Sequence, residues 1–343
     1  MPCFQWLKEL VPCVPRRREP AVNRWLLITG CDSGFGHLLV SQALGTGFNV
    51  VAACYTREGS EALDRRYSSN AGSPAAKDSE SIANQDQEAL INKDQKTGSF
   101  VSVVGDLTTA QGISAVVAAV QGAVKEHQQF WAIVNNAGIC LPGNVDWAEP
   151  VTYEKTFAVN FFAPVKLTYE LLPLLLRSKG RVVNVTSVDG FIALPSNAAY
   201  NASKHALEAY SDTLRCEMRP WGIKVVVVEP STMRTPLVLA YADSWLASFK
   251  AASPERREKY GDEWAQEFAE RTKKNLSGPV ADDPQITVDA LLEALLLPDP
   301  PTRMTTGAAA KILWKPLSML PDKMRDAVLY KLTWSGPSPI GLS

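Results

Sequence analysis

The sequence lacks the cysteine and histidine patterns that mark metal sites and disulfide frameworks. It has no CxxC pair and no Cys/His cluster; its six cysteines are scattered from residue 3 to residue 216, beside only three histidines. Such spacings favour neither a zinc site nor paired disulfides. We therefore interpret the cysteines as mostly buried, reduced thiols, and we expect no metal and an intracellular, reducing compartment.

The chain also lacks an excess of charge and a long apolar run. With 35 basic and 36 acidic side chains its formal net charge is -1, which gives no electrostatic reason to expect nucleic acid as a partner. No uninterrupted apolar run approaches the about 18 residues that span a bilayer; Val225–Val228 is typical in being the size of a core strand. These absences argue against a nucleic-acid-binding protein and against an integral membrane protein.

What the sequence does contain is a regular alternation of short β-branched runs with helix-length stretches. Val225–Val228 is apolar on both faces, as in the strands of a parallel sheet that helices cover on each side. The pattern predicts an α/β fold, a Rossmann-like doubly wound parallel sheet flanked by helices on both faces. The predicted strands are Trp25–Thr29, Asn49–Cys54, Phe100–Val104, Trp131–Asn135, Arg181–Thr186 and Lys224–Glu229.

We predict one domain over residues 24–300, with additions at both ends and one inside it. Residues 68–99 are rich in Ser, Ala, Asn, Asp, Gln and Lys and predict an exposed polar insertion. Residues 1–23 form a proline-interrupted tail, interpreted as disordered or as a short docked helix, with an amphipathic membrane-surface segment as the alternative. For the apolar and basic extension at 301–343, membrane docking, dimer packing and core cover stay open.

A glycine-rich turn follows the first predicted strand. Its glycines let the backbone approach a pyrophosphate closely, and the helix that begins there offers unpaired N–H groups to phosphates. The motif alone is a weak signal, because a tight turn without a ligand has the same composition. Its position in a βαβ series favours a dinucleotide site. The residues of that site are Gly30, Asp32, Ser33, Gly34, Phe35 and Gly36.

Two further motifs follow along the chain. Asn136, Ala137 and Gly138 come at the end of the fourth predicted strand, where they suit either cofactor contact or support of neighbouring strands. Tyr200 and Lys204 are four residues apart and so share one face of a helix. The ammonium of Lys204 would lower the pKa of the Tyr200 phenol and make it a proton donor and acceptor for an alcohol/carbonyl pair. Such a pair is common by chance; its order after the other motifs makes it specific.

In this order the motifs resemble those of the short-chain dehydrogenases/reductases, over roughly residues 25–240. Thr29–Gly36 fits the family's Thr-Gly-x-x-x-Gly-x-Gly, and Asn135–Gly138 fits its Asn-Asn-Ala-Gly. Ser187 stands thirteen residues before Tyr200, as the catalytic serine does in that family. The resemblance therefore implies an oxidoreductase that transfers a hydride between a nicotinamide cofactor and an alcohol or carbonyl.

The resemblance also implies a role for each residue. Ser187 would bond the substrate oxygen, and Tyr200 would transfer its proton. Lys204 would lower the Tyr200 pKa and bind the nicotinamide ribose, while Asn160 would hold a water that relays the proton. Among cofactor contacts, Asp106 would bond the adenine amine with Leu107 beside it, and Pro230 and Thr232 would flank the nicotinamide.

Cofactor preference is the least direct of these expectations. The second strand lacks the terminal acid that many NAD-dependent enzymes place on the ribose hydroxyls. Arg57 could accept the 2′-phosphate of NADP, whereas Asp32 in the glycine turn would oppose it. Because the similar branch mostly uses NAD, we expect NAD in preference to NADP. A second departure is Ser231, which stands where many relatives have glycine.

Finer features resemble the branch of retinol, hydroxysteroid and 3-hydroxybutyrate dehydrogenases, and the segment Ala310–Pro316 resembles retinol dehydrogenases most. We expect a lipophilic retinoid- or steroid-like substrate under a lid formed by residues 244–276. The aromatic side chains that favour this substrate are Trp245, Phe249, Trp264 and Phe268.

Two alternatives to this function stay open. Oxidation of 3-hydroxybutyrate would need a cationic clamp for the carboxylate. A non-catalytic cofactor-binding module is the alternative of another class, although the intact Ser187, Tyr200 and Lys204 argue against it. We further expect a homo-oligomer that is cytoplasmic or in peripheral contact with a membrane, such as the endoplasmic reticulum or a mitochondrion.

Overall fold

The structure, a computed structural model, describes residues 18–68, 98–278 and 281–333. A parallel sheet of seven strands lies at its centre, in the order β3-β2-β1-β4-β5-β6-β7. The insertion predicted at 68–99 lies, apart from its ends, outside the described residues, as does most of the predicted N-terminal tail. The strands are β1 (Arg24–Thr29), β2 (Asn49–Cys54), β3 (Phe100–Val104), β4 (Gln129–Asn135), β5 (Arg181–Val185), β6 (Lys224–Pro230) and β7 (Arg303–Thr306).

Helices connect the strands and cover both faces of the sheet. The longer ones are α1 (Gly34–Thr46), α2 (Arg57–Tyr67), α3 (Ala110–Ala123), α5 (Ala163–Ser178), α6 (Ala198–Met218), α8 (Tyr241–Ala251), α10 (Asp262–Ser277), α11 (Gln285–Leu296) and α13 (Asp322–Thr333). The shorter ones are α4 (Pro150–Phe157), α7 (Pro236–Leu239), α9 (Pro254–Glu258) and α12 (Lys315–Ser318).

The strands form because their sequences are apolar on both faces, and each face packs against its own helices. All six residues of β2 are buried. Leu39 of α1 and Leu291 of α11 belong to the core on one face, whereas Val116 of α3 and Leu167 of α5 belong to the core on the other. The predicted doubly wound sheet is confirmed, and the six predicted strands are present with bounds that agree or differ by one or two residues.

The order of the strands creates a crevice between β1 and β4. Both strands run parallel, with Leu27 opposite Val51 of β2 on one side and opposite Ile133 of β4 on the other. The chain leaves these two strands toward opposite halves of the sheet, which opens a binding crevice at their carboxyl ends. The glycine turn after β1 and the Asn-Asn-Ala-Gly segment after β4 therefore face the same space.

The seventh strand was absent from the sequence prediction. β7 pairs in parallel with β6, Met304 lying opposite Val228. It falls beyond residue 300, where the sequence pattern indicates an extension, so part of that extension completes the sheet. Its short sequence, Arg-Met-Thr-Thr, has the polar composition of an edge strand and none of the apolar runs that identify the inner strands.

One described helical segment, Pro150–Ser178, is long and apolar enough to cross a membrane by length and composition. Polar and charged residues such as Glu154, Lys155 and Lys166 interrupt it, so it is not a continuous apolar run. The segment packs against the sheet through side chains such as Leu167, Leu171 and Leu175, which are fully buried. A core helix passes the same test, so the segment is weak evidence for a membrane span.

Candidate active site

A cavity of about 970 Å³ lies at the carboxyl ends of the strands. It receives side chains from the loops after β1, β4, β5 and β6 and from α6 and α10. Two residues predicted from the sequence, Gly36 and Asn160, do not line it. Those that do are Gly30, Asp32, Ser33, Gly34, Phe35, Asp106, Leu107, Asn136, Ala137, Gly138, Ser187, Tyr200, Lys204, Pro230 and Thr232.

The glycine turn is shaped by its backbone. Gly30 and Gly34 have φ values of +71° and +60°, in the left-handed region that favours glycine. A Cβ on Gly36 would lie 2.3 Å from the carbonyl oxygen of Gly30, so Gly36 permits the close packing of α1 on the turn. In the described part of the chain, no side chain caps the first N–H groups of α1 and no acid stands in its first turn. These N–H groups are therefore available to an anion.

The Asn-Asn-Ala-Gly segment ties β4 to β1. The backbone N–H groups of Asn136 and Ala137 both donate to Thr29 Oγ1 at 3.0 Å. The Asn136 side chain donates to the carbonyl of Thr29 at 2.8 Å. Asn136 and Ala137 thus tie neighbouring strands together, as one of the two interpretations predicts, and they also line the cavity. Their contact with a cofactor stays a prediction.

Asp32 reaches from the glycine turn to the end of β2. Its carboxylate accepts hydrogen bonds from the backbone N–H groups of Tyr55 and Thr56, both at 2.8 Å, and from Thr56 Oγ1 at 2.7 Å. Arg57 is exposed and is not among the residues that line the cavity. The carboxylate of Asp32 therefore lies at the end of β2, although the residue belongs to the turn after β1.

Tyr200, Lys204 and Ser187 meet at the other end of the cavity. Tyr200 and Lys204 project from the same face of α6, with Lys204 Nζ 5.5 Å from the centre of the Tyr200 ring. Lys204 Nζ donates to the carbonyl of Val185 at 2.8 Å. Ser187 stands two residues after the end of β5, and its hydroxyl lies beside the phenol of Tyr200. This arrangement places a hydroxyl, a phenol and an ammonium around one point of the cavity wall.

The pKa values at this end of the cavity are shifted. Burial raises the pKa of Tyr200, and the neighbouring Asp189 and Cys140 raise it further, while the nearby hydroxyl of Ser187 opposes the rise. Burial lowers the pKa of Lys204 to about 8, against the attraction of Asp189. The sequence predicts a lowered pKa for Tyr200; in this geometry that expectation is wrong, because desolvation of the phenol and the neighbouring acidic groups raise the pKa.

Asn160 lies behind the cavity wall. It is fully buried in a π-helical turn, Ala158–Phe162, that separates α4 from α5. Its amide donates to the carbonyl of Ile139 and accepts from the N–H of Ile139, both at 2.9 Å, and it donates to Ser203 Oγ at 3.1 Å. Asn160 therefore fixes the loop after β4 through Ile139, and both polar atoms of its side chain already have hydrogen-bond partners.

The motif analysis missed a polar group beside Ser187. Asp189 is 7% exposed and lines the cavity together with Cys140, Asn197 and Tyr241. The sequence feature that could have indicated this group is the position of Asp189, an acidic residue two places after Ser187 in an otherwise mostly apolar stretch. Without a motif to give it meaning, the sequence could not indicate that Asp189 turns inward.

The predicted lid splits into two kinds of aromatic residue. Trp264 and Phe268 of α10 line the cavity. Trp245 and Phe249 of α8 do not line it and are at most 1% exposed. They pack in one cluster with Trp147 and Trp264, and the ring centre of Trp147 lies 5.6 Å from that of Trp245. Of the four aromatic residues predicted to favour a lipophilic substrate, two line the cavity and two are buried behind it.

The fold and cavity define a class of protein. A parallel sheet in this strand order, with a glycine turn at the crevice and Ser187, Tyr200 and Lys204 on its far wall, is the architecture of a dinucleotide-dependent oxidoreductase. Comparison with known sequences gives the family. A family model described as short chain dehydrogenase matches residues 75–244.

Curated relatives extend the match over nearly the whole chain. The chain is 35% identical to mouse retinol dehydrogenase 5, over 94% of this chain and 92% of the relative. It is 31% identical to human retinol dehydrogenase 16, over 92% and 90% of the two chains. The chain belongs to the short-chain dehydrogenase/reductase family, beside the retinol dehydrogenases, and is an oxidoreductase.

Solved structures share the fold. A short-chain dehydrogenase from Burkholderia phymatum, in complex with NAD, superposes with a TM-score of 0.64 at 18% identity, covering 87% of this chain and 93% of that one. A short-chain dehydrogenase from Burkholderia cenocepacia, in complex with NADP, gives a TM-score of 0.60 at 19% identity, covering 93% and 100%. Structures of this fold thus bind either dinucleotide.

Proposed function

We propose that the protein interconverts an alcohol and a carbonyl on a lipophilic, retinoid- or steroid-like substrate. The observation that carries the proposal is the shared cavity: the glycine turn at one end, and Ser187, Tyr200 and Lys204 at the other. A bound nicotinamide dinucleotide would accept or supply the hydride. The names of the retinol dehydrogenases that the chain resembles over nearly its whole length support the same substrate class.

Each polar residue has a distinct task in this proposal. Tyr200 takes the proton of the alcohol or returns it to the carbonyl oxygen. Ser187 donates a hydrogen bond to that oxygen as negative charge develops on it. Lys204 holds positive charge beside the phenol and binds the ribose hydroxyls. Asn160 fixes Ile139 and so holds the cavity wall between the two ends.

The residues at the dinucleotide end fit NAD. The free N–H groups at the start of α1 would hold the pyrophosphate, and Asp106 and Leu107 line the cavity where the adenine would lie. The carboxylate of Asp32 stands at the end of β2, where it would accept the ribose hydroxyls and repel a 2′-phosphate. We therefore favour NAD over NADP.

The cavity wall suits a lipophilic substrate more than a small hydroxy acid. Trp264, Phe268 and Trp314 present apolar surface to it. One observation favours the second candidate, 3-hydroxybutyrate: Arg271 also lines the cavity and could hold a carboxylate. Against it, the carboxyl of Asp189 lies within hydrogen-bond reach of Ser187, where a second carboxylate on a short substrate would be repelled.

The decisive experiment is turnover of retinol, steroid alcohols and 3-hydroxybutyrate with NAD or NADP, followed by the absorbance of the reduced nicotinamide. Tyr200→Phe should lower kcat at least about 100-fold, the usual contribution of a positioned acid/base. Tyr241→Phe is the matched control, because it removes another phenol that lines the cavity. Dinucleotide binding without turnover of any alcohol, or turnover indifferent to Tyr200→Phe, would support a non-catalytic binding module instead.

Peripheral membrane contact is part of the same proposal. The C-terminal segment, residues 310–333, runs from a π-helical turn at Ala310–Trp314 to the end of α13. It exposes Ile312, Met319 and Met324 at 78%, 75% and 57%, interspersed with Lys311 and Lys323. Exposed apolar side chains beside lysines suit the surface of an anionic bilayer. Co-sedimentation with anionic phospholipid vesicles tests this contact. The homo-oligomer and the compartment stay predictions.

A further inference from the structure

Asp189 is a buried carboxyl group that engages the hydroxyl of Ser187. Ser187 Oγ donates to Asp189 Oδ2 at 3.1 Å, and the backbone N–H of Asp189 donates back to Ser187 Oγ at 3.2 Å. The other carboxyl oxygen accepts a long hydrogen bond of 3.4 Å from Asn197. Asp189 also lines the cavity, so its carboxyl lies beside the point where the substrate oxygen must bind.

A serine hydroxyl has a single proton to donate. When it donates to Asp189, it cannot donate to the oxygen of a bound substrate. A protonated Asp189 reverses this hydrogen bond: its own O–H donates to Ser187 Oγ across the same 3.1 Å, and the Ser187 proton turns toward the cavity. The direction of one hydrogen bond thus decides whether Ser187 can stabilise negative charge on the substrate.

We propose that Asp189 is a positioning residue that withdraws the Ser187 proton from the substrate oxygen when ionised and returns it when protonated. The proposal rests on the proposed function, because Ser187 must act on a substrate oxygen for its orientation to matter. Asp189 itself need not touch the reacting atoms.

Asp189 changes its protonation state near neutral pH. Burial raises the pKa of Asp189 to about 6, against hydrogen bonds from Ser187 and Asn197 and the charge of His205. The other titratable groups that face it are Tyr200 and Lys204 from α6, Cys140 from the loop after β4, and Tyr241 at the start of α8. Of these, Lys204 has its own pKa lowered to about 8 by burial, against the attraction of Asp189.

The proposal is tested by the pH dependence of carbonyl reduction at saturating cofactor and substrate. In the wild type, kcat should fall about tenfold between about pH 5 and pH 7.5, because ionised Asp189 removes part of a hydrogen bond whose full loss costs about 100-fold or more. Asp189→Asn should lose this fall and exceed the wild type about tenfold at pH 7.5. Asp189→Ala should give the same result. This second variant is needed because the new asparagine could accept the Ser187 proton through its amide oxygen, whereas alanine cannot.

Two further measurements connect the effect to Ser187 and to protonation. In a Ser187→Ala background, Asp189→Asn should change kcat less than about twofold, because there is no hydroxyl left to orient. Infrared spectra of the wild type should show a protonated carboxyl band that disappears between about pH 5 and pH 7.5 and is absent from Asp189→Asn. The infrared titration needs no turnover, and its wild-type part can be measured even if a variant folds poorly.

Parallel pH profiles in the wild type and both Asp189 variants would overturn the proposal, as would an effect of Asp189→Asn that persists without Ser187. In either case, loss of turnover in Tyr200→Phe would leave the proposed function standing. If turnover instead survives Tyr200→Phe, the proposed function fails, and the infrared titration then reports only on the protonation of Asp189.

Discussion

The carboxyl groups at the two ends of the cavity differ in burial and in hydrogen bonding. At the dinucleotide end, Asp32 is partly exposed and accepts three hydrogen bonds, all of 2.7 to 2.8 Å. At the reacting end, Asp189 is 7% exposed and has one hydrogen bond of 3.1 Å and one of 3.4 Å. The first group is held in place by the backbone; the second is desolvated and sparsely bonded.

In the proposed function, this difference separates recognition of the dinucleotide at one end from proton transfer at the other. A dinucleotide is recognised by fixed N–H groups, glycine backbone and a carboxylate in a set position, none of which must change during turnover. Proton transfer instead needs groups whose pKa values are moved by burial and neighbours. Tyr200, Lys204 and Asp189 all show such shifts. Variants at the two ends should therefore fail in different ways.

The largest effect on dinucleotide binding is expected from Gly36→Ala. The new Cβ would lie 2.3 Å from the Gly30 carbonyl oxygen and 2.7 Å from the Asn136 side chain. We expect dinucleotide affinity to fall at least about tenfold and the free energy of unfolding to fall by about 2 kcal/mol or more. Tryptophan fluorescence titration and urea unfolding measure the two effects.

Gly45→Ala is the matched control for this prediction. It lies in the same helix, α1, and a Cβ there would meet nothing within 4 Å. Alanine should raise the free energy of unfolding by up to about 1 kcal/mol and leave dinucleotide affinity unchanged. Equal losses in the two variants would mean that helix α1 as a whole, rather than its contact with the turn, supports the site.

At the reacting end, Asp189→Asn should stabilise the fold above neutral pH. Burial raises the folded-state pKa of Asp189 from 3.8 to about 6, so the folded protein binds this proton more tightly than the unfolded chain. The wild type therefore loses stability as pH rises from about 4 to about 6, by about 3 kcal/mol at about 1.4 kcal/mol per pKa unit. The variant should be more stable by about that amount at pH 7 and equal to the wild type near pH 4.

Urea unfolding at both pH values measures this difference. The exposed acid Glu58 provides the control, since Glu58→Gln removes a charge of the same sign at the surface. If the stability difference for Asp189→Asn is the same at about pH 4 and at pH 7, the pKa of Asp189 is not raised by burial. Asp189 would then not differ from Asp32 in the way described above.

The smallest effect is expected for Asp32→Asn. Removing the charge should relieve repulsion of a 2′-phosphate and shift the ratio of NADP to NAD affinity about tenfold toward NADP. The neutral amide still accepts a hydrogen bond, so NAD binding should weaken only slightly. Calorimetric titration with both dinucleotides gives the ratio. If it is unchanged, Asp32 maintains the turn after β1 without selecting the cofactor.

The inner part of the molecule could be predicted from the sequence because its signals are local. β2 and β3 have the predicted bounds, since continuous apolar runs between turns leave few alternatives. The glycine turn and the Tyr200–Lys204 pair depend on fixed spacings along one helix or turn, and the cavity receives both. Their functional roles remain proposals.

The rest depends on contacts between distant segments. β7 is short and polar, and only its pairing with β6 makes it a strand. Trp245 resembles Trp264 in sequence, yet the first is buried in the lid and the second reaches the cavity. Asp189 gains its raised pKa from burial, which no spacing reveals. Tertiary packing decides each of these cases.

The C-terminal segment has a consequence for handling the enzyme. Trp314 and Leu332 line the cavity, and Lys315 pairs at 3.4 Å with Glu229, which is fully buried at the end of β6. Cleavage ahead of Lys315 would leave Ser187, Tyr200 and Lys204 in the chain but open the cavity and remove one cation from the buried acid. We expect a preparation clipped there to lose activity although the three proposed reacting residues remain in the chain, so the intact mass should be verified before any loss of activity is assigned to a substitution.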